Sequence, residues 1–505
     1  DVYKRQSLPR FLAPGDLSRV LIDLTHVEGP AGDVTLSLDA PAGGIGVDDR
    51  AASGTFALAE HGRARLPVPL EALAVGDHSL RIGLRTPAGR RLEKRLTVPV
   101  RSNVPSIART SVTTLRPGGE GLVLRADILA DRIAGTGSVL VSASHAGRLD
   151  VPGLLHDLDR YPYGCAEQVT SRSLPLLYLG EVADAAGLAA EEGAGSRVRE
   201  AVAELLSKQS SSGGFGLWGP GAGDFWLDAY VTDFLTRAAG RGYAVRESAM
   251  RMALDNLRNR LSYASDFESG GEDVAYALYV LARNARAVIG DLRYYAEARL
   301  DAFATPLAKA QLGAALSLYG DRQRAKSAFQ AALVHLERSA DGDRWRPDYG
   351  SDLRDASALL SLAVEGGVGT LDLRALADRV ARERERKAYT STQEKAWLLL
   401  AAHALMQGPG GPQLTVGGEI VDGPLFRRFR PSDIGEHPVA IVNRGDRPVD
   451  AMVTVTGVPR SPPPAGGNGY RIERSYYDLE GHRVQPTGVR QGCLLYTSPS
   501  PRDLN

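Results

Sequence analysis

Cysteine is almost absent from this sequence. Its 505 residues contain two cysteines, Cys165 and Cys493, which are too few for a framework of disulfide bonds. In an exported protein an unpaired cysteine asks for a chemical explanation, whereas in a cytosolic protein it is unremarkable. Composition alone favours the second interpretation, so any special role for Cys165 must come from the residues around it.

Net charge and long apolar runs are also missing. Lysine plus arginine and aspartate plus glutamate both number 60, so charge gives no indication of nucleic acid or an acidic membrane surface as a partner. No uncharged apolar run approaches the roughly 18 residues that a membrane span needs. The remaining composition, 43% hydrophobic and 24% charged, is typical of a globular protein. The length predicts about two to four domains.

The two ends of the chain differ in character from the rest. Residues 1–6 and the tail from Cys493 onward (Cys-Leu-Leu-Tyr-Thr-Ser-Pro-Ser-Pro-Arg-Asp) look like translated sequencing adapter. An ordinary loose terminus is the alternative. We predict that residues 1–6 and 493–505 are non-native, which would leave Cys165 as the one genuine cysteine.

Strand-like patterns occupy the first 150 residues. Apolar and polar residues alternate with a period of two, as at Val34, Leu36 and Leu38, and turn residues separate the runs. The segment 7–101 therefore predicts a β-sandwich of about seven strands. Residues 102–150 again read as strands but are too few to close a sandwich by themselves.

Between residues 151 and 408 the hydrophobic period changes to that of a helix. Apolar segments recur roughly every 35 to 47 residues, the length of a helical hairpin repeat, and more polar amphipathic helices separate them. These segments lie near Leu227, Val274, Lys309, Asp355 and Glu394. The alternation predicts inner and outer rings of helices, an α/α toroid, with an open solenoid of the tetratricopeptide kind as the alternative.

Strand patterns return at residues 409–460. A linker and the first strand of a further β-domain follow at 461–492. The order is β-domain, half β-domain, helical domain, half β-domain. The fold class predicted is therefore multidomain α + β, with the helical domain inserted into one β-domain.

The chemistry-bearing segment is Tyr161–Gln168, read Tyr-Pro-Tyr-Gly-Cys-Ala-Glu-Gln. Pro162 and Gly164 predict a turn, which places Cys165 at the start of a helix. Free N–H groups there favour a thiolate, and Gln168 lies on the same helical face at i+3. Attack of the thiolate on the Gln168 amide would expel ammonia and close an internal thioester, an acyl group ready for transfer.

Such a bond survives only where water is excluded. Tyr161 and Tyr163 are placed to shield it. The alternative is that Cys165 is a buried core thiol and Gln168 a surface amide, which is what most Cys-x-x-Gln spacings are.

The segment resembles the thioester signature of the α2-macroglobulin and complement superfamily, in its bacterial branch. The resemblance extends to four other segments: Leu8–Asp16, Gly213–Trp218, Tyr230–Leu235 and Thr392–Leu400. It implies an α/α toroid thioester domain (151–408) inserted in a CUB-like β-domain (102–150 and 409–460). A macroglobulin-type β-sandwich (7–101) precedes it, and the start of a terminal macroglobulin-type β-domain (461–492) follows.

The resemblance also implies a function. A protease cuts a bait region, the protein closes around it, and the thioester acylates the prey. The chain is thus expected to be an endopeptidase inhibitor with a single-use bond rather than an enzyme, Cys165 supplying the sulfur and Gln168 the acyl group. The resemblance also implies that Tyr161 helps to shield the bond, although this role rests on a weaker match than those of Cys165 and Gln168.

Partners and location follow from the same resemblance. The expected partners are target proteases, bound covalently through amines or hydroxyls, with amines as the default. Analogy adds cell-wall synthesis proteins and a monomeric state. The expected location is the bacterial periplasm, with an inner-membrane anchor in the full-length protein. The bait region and a lipoprotein signal are not in this sequence, so we expect a C-terminal fragment.

A cysteine hydrolase is one alternative, and it needs a histidine partner. The candidates are His156, His335 and His403. His156 has no protease-like context. The other two lie in helical patterns, where histidines are more often core or surface residues.

A toroid enzyme acting on a glycan is another alternative. Asp224, Asp228 and Asp233 could line a cavity as glycosidase carboxylates do, although caps and solvated charges are the commoner roles. A thioester-free scaffold of the same fold is the third possibility. No histidine or cysteine cluster has metal-ligand spacing, and no glycine-rich segment reads as a phosphate loop. We therefore predict neither metal nor cofactor.

Overall fold

The computed structural model divides the chain into β-rich and helical parts, each with its own hydrophobic core. The described residues are 2–7, 9–40, 43–48, 52–144, 147–185, 193–221, 223–338, 346–369, 371–387, 389–407, 411–435, 437–461, 464, 466, 470–485 and 496–503. Mixed α and β architecture, as predicted, is confirmed.

The first part is an antiparallel β-sandwich. One sheet has the order β1-β2-β6-β4 and the other β5-β3-β7-β8. The strands are β1 (Val2–Ser7), β2 (Leu17–His26), β3 (Gly32–Asp39), β4 (Ile45–Val47), β5 (Ser53–Leu58), β6 (Arg63–Ala72), β7 (Gly76–Arg85) and β8 (Arg91–Val100). Alternation decides which side chains enter the core, since Val34, Leu36 and Leu38 are buried while their neighbours are exposed.

The second sandwich is assembled from both sides of the helical region. Its sheets have the orders β10-β15-β12-β13 and β14-β11-β16-β9. The strands are β9 (Ile107–Leu115), β10 (Leu122–Leu124), β11 (Ser138–Ser144), β12 (Gln413–Val416), β13 (Glu419–Asp422), β14 (Leu425–Phe429), β15 (Val439–Asn443) and β16 (Val449–Gly457). Val139 of β11 pairs with Phe429 on one side and with Val455 on the other. The helical domain is therefore inserted into one β-domain, as predicted.

The helical region contains thirteen α-helices among the described residues. They are α1 (Val151–Asp159), α2 (Ala166–Ser173), α3 (Leu176–Ala185), α4 (Gly193–Ser207), α5 (Phe225–Gly240), α6 (Glu247–Ser262), α7 (Glu272–Arg283), α8 (Ile289–Ala298), α9 (Pro306–Leu318), α10 (Arg322–Arg338), α11 (Asp352–Glu365), α12 (Leu373–Arg386) and α13 (Thr392–Met406). Short 3-10 turns lie at Ala126–Leu129, Gly147–Leu149, Leu300–Ala302 and Pro431–Asp433.

The helices form a closed double ring. Helices α5, α7, α9, α11 and α13 are buried around most of their circumference, whereas α6, α8, α10 and α12 bury one face each. Neighbouring inner helices contact one another in order, and α13 packs against α2, which packs against α5. This closure confirms the toroid, and the open solenoid is wrong.

Most inner helices begin with a side-chain cap, whereas α7 begins after Gly271 without one. Ser351 caps α11, Thr305 and Pro306 open α9, and Ser391 with Glu394 forms a capping box on α13. Because an outer helix returns the chain after each inner one, the inner helices run parallel. Their N-termini therefore gather at one end of the ring, where α2 also begins.

A third sheet contains the last described strands. Strand β17 (Tyr470–Tyr477) pairs along its length with β19 (Tyr496–Asp503), and β18 (Arg483–Val484) lies on its other side. Cys493 lies outside the described residues. The non-native origin of the two ends and the exact domain boundaries stay predictions. Among the described residues, no helix is both long and apolar enough to cross a membrane.

Candidate functional site

Cys165 and Gln168 meet at the start of α2. Cys165 is the N-cap residue, in an extended conformation (φ −69°, ψ 161°). Its sulfur accepts from the backbone N–H of Gln168, while Oε1 of Gln168 accepts from the backbone N–H of Cys165 at 3.2 Å. This is a reciprocal capping box. The two side chains that the sequence pairs chemically are therefore folded back toward each other.

The Cys165 thiol is deeply buried, with 5% of the residue exposed. Burial is the largest influence and raises the pKa of the thiol, and the Glu167 charge raises it further. The backbone N–H groups of Gln168 and Glu167 and the charge of Lys208 lower it, but they do not outweigh burial. The backbone N–H groups at the helix start do lower the pKa of the thiol, as expected from the sequence. Burial outweighs them, so the protonated thiol is the favoured form near neutral pH.

Glu167 fixes α2 to the rest of the ring. Its carboxylate is buried and accepts from Ser171 Oγ at 2.6 Å, from Gln393 Nε2 at 2.9 Å and from Thr392 Oγ1 at 3.0 Å. Ser171 Oγ in turn lies 2.9 Å from the hydroxyl of Tyr230 on α5. These contacts hold the residue between Cys165 and Gln168 against both neighbouring inner helices. Sequence reasoning missed the contacts with α5 and α13 because those partners are more than 50 positions away.

A glycine-rich loop, residues 208–221, lies over the start of α2. Leu217 O accepts from the backbone N–H of Ala166 at 2.8 Å, so the loop binds directly to the residue that follows Cys165. Gly213 has φ +93°, and a Cβ there would lie 2.1 Å from Met252 O, so only glycine fits.

Asp228 anchors that loop from below. One carboxylate oxygen accepts from Phe215 N at 2.6 Å, and the other from Asn256 Nδ2 at 2.8 Å and Arg260 Nη1 at 2.7 Å. Asp224 caps α5 by accepting from Trp226 N.

Asp233 is buried and accepts from Arg237 Nε at 2.9 Å and from the Tyr276 hydroxyl at 3.1 Å. Asp224 is thus a cap, as weighed from the sequence. The expectation that Asp228 and Asp233 are solvated is wrong, because inner helices are buried on most sides. All three carboxylates hold protein groups, which gives a glycosidase role no support.

Aromatic side chains lie near the start of α2. Tyr161 is half-buried, and its ring lies edge-on to that of Tyr163 at 5.7 Å, while Tyr163 is 59% exposed. Burial raises the pKa of both Tyr161 and Tyr349, and the neighbouring Cys165 adds to it. Tyr349 was missed in the sequence. It has φ +54°, and its ring lies 5.3 Å from that of Trp226. The shielding role of Tyr161 and Tyr163 stays a prediction.

The three histidines considered as partners of a catalytic cysteine lie in different surroundings. His156 is half-buried on α1, where burial lowers its pKa. His403 lies near the far end of α13, with its ring 4.9 Å from that of Tyr178. Burial, followed by the charge of Lys309, lowers the pKa of His335 on α10. Among the described residues, no group of three or more acidic, histidine or cysteine side chains could hold a metal.

A closed helical ring, inserted in a β-domain and opening with Cys-x-x-Gln at a helix start, defines a macroglobulin-type protein. Residues 137–267 match the model of the A-macroglobulin TED domain. The α2-macroglobulin of Escherichia coli K12 is 31% identical over 97% of this chain and 31% of its own length. That of Xylella fastidiosa Temecula1 is 28% identical over 97% and 31%.

Solved structures agree with the sequence relatives. Native E. coli α2-macroglobulin, by cryo-EM, superposes with a TM-score of 0.75 at 28% identity, over 99% of this chain and 32% of that one. Salmonella α2-macroglobulin reacted with methylamine gives 0.74 at 29% identity, over 99% and 34%. Native E. coli α2-macroglobulin from domain MG7 to the C-terminus gives 0.74 at 28% identity, over 100% and 81%.

The chain belongs to the bacterial α2-macroglobulin family. It spans about a third of the length of the curated relatives it matches.

Proposed function

We propose that Cys165 and Gln168 form an internal thioester and that this bond attaches the protein to an attacking protease. The observation that carries the proposal is the reciprocal capping box, which holds the Gln168 side chain beside the Cys165 sulfur. Burial of the thiol supports it, because a thioester must be kept from water. The Salmonella relative whose structure was determined after reaction with methylamine supports a reactive site of this kind.

Bond formation is a thiol attack on an amide. The sulfur of Cys165 bonds to the side-chain carbonyl carbon of Gln168, the C–N bond breaks, and the thiol proton leaves with the nitrogen as ammonia. In the second step an amine or hydroxyl bonds to the same carbon and the C–S bond breaks. Cys165 then carries the thiol and Gln168 carries the prey.

At the level of the whole protein, the proposed role is inhibition of endopeptidases. The relatives named α2-macroglobulin support it. The protein would act as a single-use trap, with proteases as covalent partners and a preference for amines. The bacterial periplasm, an inner-membrane anchor, a monomeric state and contact with cell-wall synthesis proteins complete the proposal.

Intact mass spectrometry tests the thioester. The native protein is expected to weigh about 17 Da less than its sequence, because ammonia has left. Methylamine should then add about 31 Da and release one thiol. The Cys165→Ser variant is the control, with full mass and no change on methylamine treatment. A native protein with full mass and a free thiol would refute the proposal.

A further inference from the structure

Lys208 is a buried lysine whose ammonium has one hydrogen-bond partner among the described residues, the carboxylate of Glu204. It follows the end of α4 and is 7% exposed. Its Nζ donates to Glu204 Oε1 at 2.8 Å, and the Glu204 side chain is itself 42% exposed. A lysine at a helix end can usually extend its ammonium into water at little cost. Burial of this charge therefore points to a role beyond an ordinary surface ion pair.

The backbone of Lys208 is joined to the reactive turn through the glycine-rich loop. Lys208 O accepts from Gly216 N at 3.1 Å, and the next residue, Leu217, accepts from Ala166 N at 2.8 Å. Its partner Glu204 reaches the same turn, since a Cβ built on Gly164 would lie 3.4 Å from Glu204 Oε1. The carboxylate of the ion pair thus lies beside Gly164, which precedes Cys165, and the loop that bonds to the Lys208 backbone also bonds to Ala166, which follows Cys165.

We infer that the Lys208 ammonium stabilises the Cys165 thiolate that leaves when a nucleophile attacks the Gln168 acyl group. The inference rests on the proposed thioester. As the nucleophile bonds to the acyl carbon, the C–S bond breaks and its electron pair passes to sulfur. The proton of the attacking amine goes to solvent or to the sulfur. Lys208 forms no bond to the acyl carbon or to the sulfur. It acts on the sulfur through its positive charge, and is therefore a positioning residue.

The surroundings of Cys165 increase the effect of the Lys208 charge on the sulfur. The groups that face Cys165 are Glu167 within α2, Lys208 after α4, and the phenols of Tyr161 and Tyr349. Burial and Glu167 both oppose a thiolate. The Lys208 ammonium favours the thiolate, and its effect is strong because water screens charges little in a buried site. Without Lys208, the leaving sulfur would keep the backbone N–H groups of Gln168 and Glu167, while burial and the Glu167 charge would still oppose it.

The test measures the acidity of the Cys165 thiol after methylamine has opened the bond. The rate of alkylation by iodoacetamide is followed against pH in the wild type and in Lys208→Met. We expect the thiol pKa to rise by about one unit in the variant, with alkylation near neutral pH slowed about tenfold. Opening by methylamine should slow in the same direction. Lys208→Arg should restore both, and Lys326→Met, an exposed lysine on α10, should change neither.

A second variant with the opposite expected sign guards against misfolding. Glu204→Gln removes the carboxylate that partly neutralises Lys208, so the thiol pKa should fall. If Lys208→Met is folded and its pH profile equals that of the wild type, the inference is overturned, whereas the mass test still decides the thioester. If Lys208→Met does not fold, an unchanged or raised thiol pKa in Glu204→Gln overturns it. If the native thiol is already free, the thioester proposal fails instead, and the same pH profiles can be recorded without methylamine.

Discussion

At the scale of single residues, the start of α2 uses the same two side chains for structure and for proposed chemistry. Cys165 and Gln168 cap each other's backbone N–H groups, which satisfies donors that every helix start leaves open. The geometry that a capping box requires is also the geometry that brings a sulfur to an amide carbon. Structure and reactivity can be separated by changing the Gln168 side chain while keeping its ability to accept a hydrogen bond.

Gln168→Glu and Gln168→Ala make that separation. The glutamate keeps an oxygen for the Cys165 N–H, whereas the alanine removes it. We expect a full-mass protein with a free Cys165 thiol in both variants, because neither offers an amide. Gln168→Ala should in addition unfold about 1 kcal/mol more easily than Gln168→Glu. Chemical denaturation checks the difference, and equal stabilities would show that the bond to the Cys165 N–H contributes nothing.

At the scale of helices and loops, α2 is too short to be stable alone. An isolated helix of eight residues does not persist in water, so its position depends on contacts from other elements. Glu167 supplies the contact with α13, Ser171 supplies the contact with α5, and the loop before α5 covers the first turn of α2. The shape of the site thus depends on residues far along the chain.

Asp228→Asn tests the anchor of that loop. The substitution leaves Arg260 without its carboxylate, and we expect a loss of about 1 to 3 kcal/mol in the free energy of unfolding. Amide hydrogens in residues 208–221 should exchange faster, as measured by mass spectrometry. Asp224→Asn is the matched control, because asparagine caps a helix as well as aspartate does. Equal exchange in the two variants would argue against the anchor.

The start of α11 predicts a response to acid. Burial alone would raise the pKa of Asp348, but Arg354 and Arg346 hold it at about 2. The unfolded value is about 3.9, so ionised Asp348 contributes about 2 to 3 kcal/mol above that pH. The contribution should be lost as the pH falls from about 4 to about 2.

Denaturation of the wild type and of Asp348→Asn at several pH values measures this effect. The gap between the two stabilities should be constant above about pH 5 and narrow steadily below about pH 4. A gap that does not depend on pH would contradict the assignment.

At the scale of the whole molecule, the sequence predicted features that depend on neighbouring residues better than contacts between segments far apart in the chain. Hydrophobic period revealed the strands, the helices and the inserted domain, because each pattern is read within a short window. Cys165 and Gln168 were singled out because eight consecutive residues, Tyr161–Gln168, resemble the thioester signature of the superfamily; the three-residue spacing alone would not have distinguished them. The alternation of apolar and amphipathic helices predicted the toroid, but the partners of Glu167 and the position of Lys208 could not be predicted, since each depends on segments joined only in the folded chain. Asp228 and Asp233 were misjudged because ring closure buries faces that look polar in sequence.

The inserted arrangement has a consequence for how the ring could be lost. Its two ends continue into β11 and β12, which lie in opposite sheets of one sandwich and share its core. A single nick in either connection would leave the ring tethered through the other. If the proposed function holds, a protease attached at Gln168 would have to cut both connections to carry the ring away from the sandwich.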